Sequence, residues 1–64
     1  MDLTQVTKCC VCDLDHPGED IELTVYGGVE TAVNRMYMTA WIEGWERPKL
    51  FIVGDDGSRT EVAT

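Results

Sequence analysis

One stretch near the middle of the chain, VETAVNRMYMTAWIE from Val29 to Glu43, limits the fold more than any other. Val29, Ala32, Val33, Met36, Tyr37, Ala40 and Trp41 recur there at the three-and-four spacing of one helical face. Gly27-Gly28 suits a tight turn into that helix, and Gly44 suits its stop. An apolar face of this width has to be covered, so the rest of the chain is expected to supply a sheet.

The flanking segments carry strand signals. Residues 3–12 (LTQVTKCCVC) contain β-branched residues and end in an apolar run. Residues 13–20 (DLDHPGED) read as a polar loop with a Pro-Gly turn. From Ile21 to Tyr26 the pattern alternates, with Ile21, Leu23 and Val25 on one side and Glu22, Thr24 and Tyr26 on the other. After the helix, residues 49–53 (KLFIV) predict a more buried strand. Residues 54–57 (GDDG) predict a hairpin turn, and residues 58–63 a last strand. The expectation is a single α+β domain over residues 1–64, in ββαββ order, with an antiparallel sheet packed against one amphipathic helix. A chain this short buries only about 60% of its unfolded surface, which leaves a partner or a metal room to add stability.

On a wheel at about 100° per residue the core positions fill about 180° of arc, centred near Ala40. Met38 and Ile42 fall on the opposite side, where a helix lying on one sheet should be polar. Trp45 joins them if the helical path continues. Exposed apolar groups of this kind, with Met and Trp among them, mark a surface meant to be covered. Met38, Ile42 and Trp45 are therefore the expected contacts with a protein partner or with a second copy in a homodimer.

Twelve Asp and Glu against five Lys and Arg give a formal charge of −7 and a pI near 4.3. Phosphate backbones and anionic membranes are repelled by such a chain, whereas a basic protein surface is attracted. The acids are densest at Asp13, Asp15, Glu19, Asp20 and Glu22. The first four are expected to steer a basic partner. A second reading has the same acids as one patch, and Asp55, Asp56 and Glu61 as another, imitating nucleic-acid phosphates in another protein's basic groove. The opening MDLTQVTK lacks the apolar run of a secretion signal, and no stretch reaches membrane-spanning length, so a cytoplasmic location is expected.

Cys9, Cys12 and His16 spell C-x2-C-x3-H, a spacing that suits half of a zinc site. The reading conflicts with a strand running through residue 12, because Cys9 and Cys12 would then point to opposite faces. Buried free cysteine is an ordinary core residue, which is the competing account. Cysteines this close do not close a useful disulfide loop, and a reducing compartment is expected. Asp13, Asp15 and Gly18 match the start of a calcium loop, but Pro17 and Thr24 break it. No phosphate-binding loop, nucleophile elbow or zinc-protease helix is present, and the chain is expected not to be an enzyme.

In size, acidity and element order the chain resembles the small acidic accessory proteins that bacteriophages and mobile elements encode. Its strand–strand–helix–strand order is similar to that of small phage inhibitors of bacterial RNA polymerase. The resemblance implies a modulator that binds a larger host protein. The reading is a non-catalytic protein-interaction module without a cofactor, with a small zinc-binding domain or an acidic nucleic-acid mimic as the alternatives.

Overall fold

The computed structural model describes residues 5–63. Within them lie β1 (Val6–Asp13), β2 (Ile21–Tyr26), α1 (Val29–Glu43), β3 (Pro48–Val53) and β4 (Arg59–Val62). The strands form one antiparallel sheet in the order β2-β1-β3-β4, with α1 against one face. The expected ββαββ α+β domain is what forms. Residues 3 and 4 of the expected first strand lie outside the described residues, and that strand continues one residue further, to Asp13.

Alternation along the strands sorts the side chains. Cys9 and Val11 of β1, Val25 of β2 and Leu50 of β3 point toward the helix and are buried. Ala32, Met36 and Ala40 meet them from α1. The two alanines flank Met36 one turn away on either side, so the helix can lie close while one long flexible side chain fills the space. Ile21, Leu23, Val33, Ile52 and Val62 close the rim of this core. The opposite face of the sheet, carrying Lys8, Cys10, Cys12, Glu22, Thr24, Tyr26, Lys49, Phe51, Val53, Arg59 and Glu61, has no second layer among the described residues.

The helix buries a narrower stripe than its sequence suggests. Ala32, Met36 and Ala40 are core, whereas Val29, Tyr37 and Trp41, also expected there, are exposed. Trp45 takes the place that Trp41 was expected to fill. The cause is the cap at the end of α1. Gly44 adopts a left-handed conformation with φ of 75°, a region costly for a residue with a Cβ. The Trp45 N–H then donates back to the Ala40 carbonyl at 2.8 Å. This reversal swings the Trp45 side chain against Ala40 and under the sheet, as helix caps of this type do with the residue that follows them. Trp45 is therefore core, not an outward continuation of the Met38 and Ile42 side. No helix among the described residues is long and apolar enough to cross a membrane.

Candidate functional site

With Trp45 withdrawn, four other large apolar side chains stand on the outward side of α1. Trp41 is 84% exposed, Ile42 67%, Met38 57% and Tyr37 52%, against 7% for Trp45. At helical spacing, Tyr37–Trp41 and Met38–Ile42 are i,i+4 neighbours and Met38–Trp41 are i,i+3 neighbours, which links the four. They form one contiguous patch over the last turns of the helix, opposite the Ala32–Met36–Ala40 stripe. Together they present roughly 500 Å² of largely apolar surface, the size of the largest patch on a typical monomer. Met38 and Ile42 stand where the sequence places them. Tyr37 and Trp41 were missed because their spacing also fits the core face. The signal that finds them is the excess of apolar residues, more than one sheet can cover.

Asp13, at the start of the acidic loop, is committed to holding the fold together. Asp13 is buried, and both of its oxygens are used. Oδ1 accepts the Arg47 backbone N–H at 2.8 Å, and Oδ2 accepts from His16 Nδ1 at 2.6 Å. The Leu14 N–H donates to the Arg47 carbonyl at 3.3 Å, so the β1–β2 loop is clasped to the α1–β3 connector. Asp15 pairs with the Arg47 guanidinium, which also donates through Nε at 3.2 Å. That pairing holds the Asp15 carboxyl below its ordinary range and raises Arg47. The hydrogen bond to Asp13 raises the His16 pKa above its usual value. Asp20 approaches Arg59 to 3.9 Å. Of the acids expected to steer a partner, Glu19 alone has no ion pair among the described residues. Asp13 is withdrawn from the surface altogether.

Asp20 precedes β2 and Arg59 opens β4, the strands at opposite edges of the sheet, whose backbones stand about 14 Å apart at about 4.8 Å per strand. The long Arg59 side chain therefore reaches across the open face toward Asp20.

The cysteine cluster is not assembled as a metal site. Because β1 runs through to Asp13, Cys9 points into the helix-side core, and Cys10 and Cys12 point to the open face. His16 is turned to Asp13 instead. No group of three or more His, Cys, Asp or Glu with metal-holding geometry occurs among the described residues. All three thiols are pushed up, chiefly by burial, which disfavours the free thiolate that a nucleophilic role requires.

No family model, curated protein or solved structure matches this chain.

Proposed function

We propose that this chain is a non-catalytic protein-interaction module that docks a larger protein through the outward face of α1. The observation that carries the proposal is the contiguous exposure of Tyr37, Met38, Trp41 and Ile42 on a helix whose other side already fills the core. Aromatic residues and Met are the types enriched where proteins meet, and one exposed Trp at the centre of a patch is a typical energetic anchor. Glu30, Glu43 and Glu46 are exposed on and just beyond the helix and enter none of the ion pairs among the described residues. The fitting partner is thus an apolar groove with a basic rim, on a host protein if the chain is a phage- or mobile-element-type modulator. The acidic-mimic alternative is less well supported, because Asp13 is buried and Asp15 and Asp20 each pair with an arginine of the same chain. The zinc alternative has its three ligands on different sides of β1.

The test places a photo-crosslinking residue at position 38 and, as a control, at position 61 on the open face of the sheet. A partner captured at 38 and not at 61 is then purified and titrated. Trp41→Ser is expected to weaken binding at least about 30-fold, the hot-spot scale of about 2 kcal/mol. Raising salt is expected to weaken it only a few-fold, since the contact is mainly apolar. Unchanged affinity in Trp41→Ser, or a steep salt dependence, overturns the proposal.

A further inference from the structure

The two edges of the sheet are not equivalent. β4 is a four-residue edge that carries Arg59 and Glu61, the short charged edge by which sheets avoid pairing with strangers. β2 is a six-residue edge, IELTVY, with no proline, no lysine and an unbroken register against β1. Glu22 is its only charged side chain, and among the described residues no bulge, proline or covering element interrupts it.

The backbone of that edge can be worked out from one hydrogen bond. The Gly27 N–H donates to the Gln5 carbonyl at 2.9 Å, and this pair continues the Val6↔Tyr26 register. In an antiparallel ladder bonded and non-bonded pairs alternate. Val25, Leu23 and Ile21 therefore bond inward to β1. Glu22, Thr24 and Tyr26 direct their N–H and C=O groups outward, and their side chains are exposed.

We infer that the outer edge of β2 pairs antiparallel with β2 of a second copy, about a two-fold axis at Thr24, joining two sheets into one. This register is self-complementary. Thr24 faces the partner's Thr24, a favourable cross-strand pair, and Glu22 faces the partner's Tyr26. Each facing pair exchanges two main-chain hydrogen bonds, so every outward group between Glu22 and Tyr26 is satisfied. A two-fold centred on Glu22 would set two carboxylates face to face, and one centred on Tyr26 would leave Glu22 unpaired. In the Thr24 register the two Glu22 side chains lie about 14 Å apart along the strand, at about 3.4 Å per residue. That exceeds the screening length of about 8 Å at physiological salt, so the net acidity of the chain does not oppose the contact locally. On the helix side α1 lies mainly over β1 and β3, leaving Ile21 and Leu23 half-buried. The second copy sets its Val25 beside Leu23 there and extends the core across the seam. One strand pair is a small interface, so the association belongs to the weak, concentration-dependent class.

The test is sedimentation equilibrium of the full chain into the high-micromolar range, with Thr24→Lys and Thr24→Glu. The wild type is expected to dimerise reversibly. Either variant alone sets like charges together at the axis and is expected to weaken dimerisation at least tenfold. An equimolar mixture of the two is expected to recover it as a heterodimer. In the wild type, amide exchange at Glu22, Thr24 and Tyr26 should slow as concentration rises. A wild type monomeric throughout, a dimer that survives Thr24→Lys, or a mixture that fails to recover overturns the inference. So do edge amides whose exchange ignores concentration. A dimer lost in Trp41→Ser but kept in both Thr24 variants would move self-association to the outward face of α1.

Discussion

Replacing each tryptophan in turn by alanine should give sharply different results. Trp45 buries all but 7% of its surface, and Trp41 exposes 84%. A tryptophan side chain offers about 200 Å², so at about 25 cal/mol per Å² Trp45 contributes about 5 kcal/mol and Trp41 less than about 1 kcal/mol. Both figures are upper bounds, because unfolded chains are already partly compact. At about 0.05–0.15 kcal/mol per residue a chain of this length has about 3–10 kcal/mol of total stability. Trp45→Ala is therefore expected to leave little or no folded protein at 25 °C. Trp45→Phe keeps most of the apolar contact and should cost roughly 1–2 kcal/mol through the cavity it leaves. Trp41→Ala should unfold within about 0.5 kcal/mol of the wild type. Urea titration followed by far-ultraviolet circular dichroism, at concentrations low enough to keep the chain monomeric, measures all three. A Trp41→Ala cost equal to that of Trp45→Ala would falsify the position given to α1, because it requires the helix to be rolled about its axis.

The His16 pKa is raised by its bond to Asp13, so the stabilisation it lends is complete below the unfolded value near 6.5 and fades as pH rises through the higher folded value. Stability of the wild type relative to His16→Gln should thus fall across that window, and an advantage that grows with pH refutes the pairing. Among the thiols, Cys12 is partly exposed and Cys9 and Cys10 are buried. Timed maleimide labelling with peptide mapping should modify Cys12 first and the other two only on unfolding; equal rates at all three would contradict the burial of Cys9 and Cys10.

The element order was readable because the signals are local: alternation in IELTVY, the GDDG turn, the glycines around α1. What could not be read was which tryptophan is core. Periodicity sets Trp41 on the core face and Trp45, were the helix to continue, with Met38 and Ile42, and the structure reverses the two. The left-handed turn at Gly44 decides between them. Gly44 was legible as a stop, but the direction in which the chain leaves it was not. The acidic loop shows the same limit. Its composition announces charge, yet the burial of Asp13 depends on a backbone N–H at Arg47, far along the chain. Asp13 belongs to the last position of β1, where its carboxylate can close the gap between two loops.

The reversal at Gly44 also gives the molecule two native fluorophores with separate duties. Trp45, shielded in the core, should emit at short wavelength and shift to the red only when the domain unfolds. Trp41, in water, should already emit to the red and shift to the blue when something covers the outward face of α1. A single unlabelled sample can therefore report folding on one indole and docking on the other.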